Sequence, residues 1–94
     1  MADATVKVRL FATLRKKYGV KELTVKCDGT LRGAIENASK IIGEGFLREI
    51  YDENQGKVKE NMIIMINGRN IRDLKEIKIK DGDIIAIFPP LAGG

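Results

Sequence analysis

Thr30-Leu31-Arg32-Gly33-Ala34-Ile35-Glu36-Asn37-Ala38-Ser39-Lys40-Ile41-Ile42 is the stretch that decides the fold. Its apolar residues, Leu31, Ala34, Ile35, Ala38, Ile41 and Ile42, recur at the ~3.6-residue spacing of an α-helix with one buried stripe. Thr30 follows a turn at Asp28-Gly29 and is placed to cap that helix, and Gly43 and Gly45 break it. A striped helix needs an apolar surface to lie on, and here only the face of a sheet is large enough. The remaining sequence is therefore read as strands.

Val6, Val8 and Leu10 alternate with Lys7 and Arg9, the period of two expected for a strand from Thr5 to Phe11 with one face buried. Ala12 to Tyr18 reads as a helical turn ending at Gly19. Leu23, Val25 and Cys27 then alternate with Glu22, Thr24 and Lys26, giving a second strand that pairs with the first as a hairpin. Beyond the helix, Phe46, Leu47, Ile50 and Tyr51 suit a short second helix, and the polar run from Asp52 to Asn61 suits an exposed loop. Met62 to Ile66 is an unbroken apolar run, expected of a central strand covered on both sides, and Asn67-Gly68 is a strong hairpin-turn signal. A short strand is expected near Arg69 to Ile71, a connection through Leu74 and Ile77, a turn at Asp81-Gly82, and a last strand from Asp83 to Phe88. The class is α+β. A mixed sheet of four to five strands on one main helix gives a β-grasp layout, with the first and last strands side by side at the sheet centre.

The chain has 94 residues with 44% hydrophobic and 32% charged, which fits one small domain over 1–88 and an extended tail over 89–94. No apolar stretch reaches the ~20 residues that span a bilayer, and Met1-Ala2-Asp3-Ala4 lacks the pattern of a secretory leader, so a cytoplasmic location without membrane contact is expected. Cys27 is the single cysteine and histidine is absent, which argues against disulfide, metal-site and catalytic-triad readings. Cys27 could carry a persulfide if exposed; its place in the strand alternation favours a buried structural thiol. The net charge of +4 and the Arg15-Lys16-Lys17 cluster raise a nucleic-acid reading. Aromatic residues at 5% leave little for base stacking, so a solvated turn is preferred and no nucleic-acid partner is expected.

Pro89 and Pro90 end the last strand, because neither donates to a ladder and each fixes φ near about −65°. Leu91 and Ala92 continue an uncharged lead to Gly93 and Gly94, which lack Cβ atoms and can thread a channel too narrow for a side chain. Phe11 and Phe88 flank the strand patterns. Exposed, they would form an apolar docking patch beside the tail; buried, they would close the edge of the core.

Val8-Arg9-Leu10-Phe11-Ala12-Thr13-Leu14-Arg15, Ile66-Asn67-Gly68, Asp81-Gly82-Asp83 and Phe88-Pro89-Pro90-Leu91-Ala92-Gly93-Gly94 together resemble the small subunit of molybdopterin synthase, in order and over nearly the whole chain. The thiamine-pathway sulfur carrier and the ubiquitin-like modifiers share the fold and the Gly-Gly end. The segment from Gly43 to Asn61 is longer than usual and resembles versions that also modify proteins. The resemblance implies a carrier, not an enzyme: a partner adenylates the Gly94 carboxylate with ATP, a sulfur donor converts it to a thiocarboxylate, and the large synthase subunit passes that sulfur to a pterin precursor for a molybdenum or tungsten cofactor. Conjugation of Gly94 to lysines is the alternative. The chain carries no Gly-x-x-x-x-Gly-Lys-Ser/Thr loop for a nucleotide, so no cofactor of its own is expected. A carboxylate with a pKa of about 3.3–3.7 is ionised near neutrality and needs outside activation.

Overall fold

A computed structural model describes residues 4–90. Strand β1 spans Ala4–Leu10, helix α1 Ala12–Tyr18, β2 Glu22–Cys27, α2 Leu31–Ile42, α3 Gly45–Ile50, β3 Tyr51–Asp52, β4 Lys57–Val58, β5 Ile63–Ile66, β6 Arg69–Asn70 and β7 Ile84–Phe88, with a 3-10 turn at Ile71–Asp73. The main sheet has five strands in the order β2-β1-β7-β5-β6, and β3 and β4 form a separate two-stranded hairpin. It is the mixed α+β, ubiquitin-like β-grasp arrangement expected from the sequence.

Central placement of the first and last strands follows as anticipated. β1 and β7 run parallel, with Lys7 opposite Ile84 and Leu10 opposite Ile87, while β2 and β5 flank them antiparallel. The alternation in β1 sends Ala4, Val6, Val8 and Leu10 inward, where they meet Leu31, Ala34, Ile35 and Ala38 of α2. Cys27 is buried in the same core. The helix start is fixed by a relay of short bonds: Asp28 Oδ1 accepts from Thr30 N at 3.1 Å and from its hydroxyl at 2.6 Å, and Thr30 Oγ1 accepts from Gly33 N at 3.0 Å. Asn67 and Gly68 take φ of 52° and 85°, as a two-residue hairpin turn between β5 and β6 requires.

Five expectations are corrected. Ile41 belongs to no buried stripe and is 63% exposed, because α3 packs against the other side of the last turn of α2. There Ser39 is buried; its hydroxyl donates to the carbonyls of Gly43 and Glu44 and accepts from Leu47 N. The run Met62 to Ile66 is covered on one side only: Met62, Ile64 and Ile66 face the core, whereas Ile63 is 40% exposed, since α2 and α3 lie on one face of the sheet. The polar run after Asp52 is not a plain loop, for Tyr51 pairs with Val58 and Asp52 with Lys57. Its turn is closed by Asp52 Oδ1, which accepts from Asn54 N and Gln55 N. The fourth strand of the main sheet stops at Asn70, whose side chain accepts from Arg72 N and starts the 3-10 turn. Finally, the connection after Leu74 contributes a core residue, Ile79, held by a bond from its N–H to the Gly29 carbonyl at 3.0 Å.

Candidate functional site

The outward face of the sheet is divided. Along β1 and β2 it carries Lys7, Arg9 and Glu22, with Glu22 bridging Arg9 at 3.1 Å and Lys7 at 4.0 Å. Along β7 and β5 it is apolar: Ile63 lies opposite Phe88 and Met65 opposite Ala86, with Ile84 at the start of β7. No outward residue of these two strands is buried, so this half of the sheet is an uncovered apolar surface.

The patch is most developed where the chain leaves the fold. Phe11 and Phe88 stack with ring centroids 4.3 Å apart and 15° between their planes. Arg15 lies over the Phe11 ring at 5.4 Å and donates through Nε to the Leu10 carbonyl at 3.2 Å, so the guanidinium is aimed by the backbone and caps the aromatic pair. Both rings are half-buried and neither joins the core cluster. Both rings therefore lie at the surface and do not close the core. A groove of about 300 Å³ runs beside them, lined by Ala12, Ile63, Met65, Phe88 and Pro89. Ala12, at the groove edge, holds a left-handed φ of 51°, a conformation that costs a residue with a Cβ about 1–2 kcal/mol.

Pro89 is buried and Pro90 exposed, so the chain leaves β7 at the rim of this groove. Leu91, Ala92, Gly93 and Gly94 lie outside the described residues. The expected tail and docking positions thus meet at Phe11, Phe88, Pro89 and Pro90. Ile63, Met65, Ile84 and Ala86 were not anticipated; their signal was the every-second-residue position within two apolar runs, visible only once the runs are known to be uncovered on one side.

Among the described residues no His, Cys, Asp and Glu cluster could hold a metal ion, and no buried polar side-chain atom lacks a partner. The perturbed titrating groups lie away from the patch. Burial raises the Tyr18 hydroxyl to about 12, helped by its 2.8 Å bond to Glu49. Burial opposes ionisation of Glu49, but bonds from Lys17 and Tyr18 prevail and hold its carboxyl below the usual range. The hydroxyl of Thr30 lowers Asp28, and Glu53 and Glu36 raise Arg32.

Comparison with known proteins adds four likenesses. Residues 8–94 match the ThiS family. Small archaeal modifier protein 3 of Haloferax volcanii is 30% identical over 93 residues, covering 95% of this chain and 98% of that protein. The solution structure of small archaeal modifier protein 1 from Methanosarcina acetivorans superposes with a TM-score of 0.78 at 31% identity, covering 100% of both chains. A putative molybdopterin converting factor, subunit 1, from Pyrococcus furiosus has a TM-score of 0.66 at 31% identity, covering 94% of this chain and 99% of that one.

Proposed function

The chain belongs to the ThiS family, and on that premise we propose that Gly94 is its reacting residue, adenylated by a partner enzyme and converted to a thiocarboxylate that donates sulfur in molybdenum or tungsten cofactor assembly. As a ubiquitin-like carrier or modifier the chain supplies a scaffold, and in this reading residues 89–94 are the working part. The observation that carries it is the delivery of Pro89 and Pro90 from the central strand to the edge of an uncovered apolar patch.

Each step follows from ordinary acyl chemistry. The Gly94 carboxylate attacks the α-phosphorus of ATP and expels pyrophosphate, giving a mixed anhydride with AMP. A persulfide sulfur of the donor then adds to the carbonyl carbon, AMP leaves with the electron pair of the broken C–O bond, and a second thiol attacks the donor-side sulfur of the resulting acyl disulfide, forming a disulfide with it and expelling the thiocarboxylate. ATP and the sulfur donor are held by the activating enzyme. Phe11, Phe88, Ile63 and Ile84 give that enzyme, and in turn the large synthase subunit, an apolar surface beside the tail. Gly93 and Gly94 pass the narrow entrance because they add nothing beyond backbone.

A second fate shares the adenylate: attack by a lysine amine, expelling AMP and forming an isopeptide bond. The modifier names of two relatives favour it. Incubation with the cognate adenylating enzyme, ATP and a sulfur donor should replace one terminal oxygen by sulfur in the intact-protein mass spectrum, and deletion of Gly94 should abolish the change. An unaltered mass would defeat the carrier reading. Lysines bearing a remnant of this tail in digests of cell protein would establish the modifier fate.

A further inference from the structure

β2 is an end strand of the main sheet, and among the described residues no strand pairs with its outer edge. Leu10 N–H donates to the Lys21 carbonyl at 2.9 Å, so in the antiparallel alternation Leu23, Val25 and Cys27 bond back to β1, opposite Val8, Val6 and Ala4. Glu22, Thr24 and Lys26 turn their N–H and C=O groups away from it. The Lys26 carbonyl accepts from Asn37 Nδ2 of α2, as an outward group can. An edge of this kind is a template for another strand.

The side chains along the edge select that strand. Read outward from Thr24, β2 carries Leu23 and Val25, then Glu22 and Lys26, so its two halves match in polarity and are opposite in charge. Two copies laid antiparallel about a two-fold axis at Thr24 set Glu22 of each opposite Lys26 of the other, Leu23 opposite Val25, and Thr24 opposite Thr24. Opposite charges and paired threonines are both favourable across an antiparallel seam. Within its own chain Glu22 meets Arg9 of β1 at 3.1 Å, so Lys26 of the second copy continues that row with the sign alternating. The outward backbone groups fit the same register: Thr24 N–H and C=O exchange bonds with their equivalents, and Lys26 N–H meets the Glu22 carbonyl. Slipping the register by one residue sets outward groups against inward ones. Slipping it by two brings Glu22 against Asp28 in one direction and Lys26 against Val20 in the other.

A second feature lies above this edge. Ile41, 63% exposed, is the most exposed large apolar side chain among the described residues, and it stands one helical turn beyond Asn37 on the same flank of α2. Residues directly opposite in an antiparallel pair point to the same face, so in the paired arrangement both α2 helices lie on one side of the joined sheet with their Ile41 flanks turned toward each other.

We infer that the chain self-associates through β2, forming a two-fold dimer whose sheet is continuous across the seam, with Ile41 as apolar cover beside it. β7 lies beyond β1 from the edge, so Phe88, Pro89 and the patch around them stay uncovered, and the two copies present theirs on the face opposite the helices. The seam is short, which makes the dimer reversible, with a Kd of about 10 μM to 1 mM. A partner with two docking sites gains from such a pair without any new contact. The inference does not depend on the fate of Gly94.

The test is sedimentation equilibrium of the full chain from about 20 μM to about 2 mM, a range that brackets this Kd, with amide NMR shifts recorded alongside. The mass should rise toward that of a dimer, with shifts at Glu22, Thr24, Lys26 and Ile41. Thr24→Pro removes an outward N–H and leaves the ladder to β1 in place, so it should abolish association. Glu22→Lys and Lys26→Glu should each weaken it about tenfold, and an equimolar mixture of the two should restore it, since each variant then meets the opposite charge across the seam. Ile41→Ser should weaken it severalfold. The inference is overturned by a chain that stays monomeric throughout, by association that Thr24→Pro leaves unchanged, or by mixed charge variants that associate no better than either alone. Shifts confined to Ile63, Ile84 and Phe88 would place the interface on the apolar patch and overturn it, as would a monomer whose β2 amides move only when an unrelated extended peptide is added. The spectra of the variants report their folding directly, so a lost fold is not mistaken for lost association.

Discussion

Ile84 and Ile85 are neighbours on β7 that face opposite sides of the sheet, and replacing each with alanine tests whether stability separates from the proposed docking. Ile85 is fully buried at the sheet centre, where it pairs with Val8 and Ile66. Its loss leaves a cavity, so Ile85→Ala should cost about 3–4 kcal/mol, within the range for buried isoleucine truncation. A chain of 94 residues has a total stability of roughly 5–14 kcal/mol, so this is a large fraction. With a urea slope of about 1.5 kcal/mol/M, the unfolding midpoint should fall by about 2 M. Ile84 is 36% exposed on the outward face; water fills the space its side chain leaves, no cavity forms, and the cost should be about 1 kcal/mol. In the adenylation reaction, followed by pyrophosphate exchange with the cognate enzyme, the order should invert. Ile84→Ala removes an apolar contact worth about 1–2 kcal/mol and should lower kcat/KM roughly 5- to 30-fold, while Ile85→Ala, assayed where it remains folded, should stay close to wild type. Equal destabilisation by the two changes, or a kcat/KM loss confined to Ile85→Ala, would refute the division of the sheet into a core face and a docking face.

Other predictions follow from local geometry. In Gly33→Ala the new Cβ would stand 2.3 Å from Asp28 Oδ1 and 2.9 Å from the Thr30 hydroxyl, so the carboxylate must leave Thr30 and the cap must shift; the usual helix gain of about 1 kcal/mol should vanish at neutral pH and return only in part in an Asp28→Ala background, as a double-mutant cycle in urea would read. The Tyr18 hydroxyl, raised from 10.0 to about 12 in the fold, contributes stability below pH 10 that is lost as pH rises through 12, so the advantage of wild type over Tyr18→Phe should shrink across that window in paired denaturation curves. Lowered acids act at the other end: Asp28 and Glu49 stabilise the fold above the usual carboxylate range and stop doing so as pH falls through their depressed values, and Asp28→Asn should flatten the acid limb. Ala12→Val puts a β-branched side chain at a φ of 51° and should cost more than about 1 kcal/mol, whereas Ala12→Gly should be neutral or slightly stabilising by thermal melts.

The main helix, the two alternating strands and the Asn67-Gly68 turn were legible because each rests on a local rule: a periodicity, a cap or a backbone preference. Ile41 misled because its place on the stripe is set by neighbours, and the α3 contact through Ser39 turns that side of the helix end outward. The uncovered face of β5 was hidden because an apolar run records only that its residues are apolar, not whether a second layer exists to cover them. The β3–β4 hairpin has two residues per strand, too short for any pattern, and is held by an aspartate turn and backbone pairing. At the candidate site Phe11 and Phe88 were visible as aromatic residues flanking strands, but their stacking depends on the parallel register of β1 and β7, which no local signal reports. Ile63 and Ile84 come together only through pairing across the sheet.

That parallel register also has a mechanical side. β1 begins at one end of the central pair and β7 finishes at the other, so tension between the two ends of the chain runs along both strands and loads their hydrogen bonds sideways, all together. Bonds loaded in this way share the force instead of opening in sequence like a zipper. A protein tethered through its last residues and hauled from its first would therefore resist extension far more than its modest thermodynamic stability suggests.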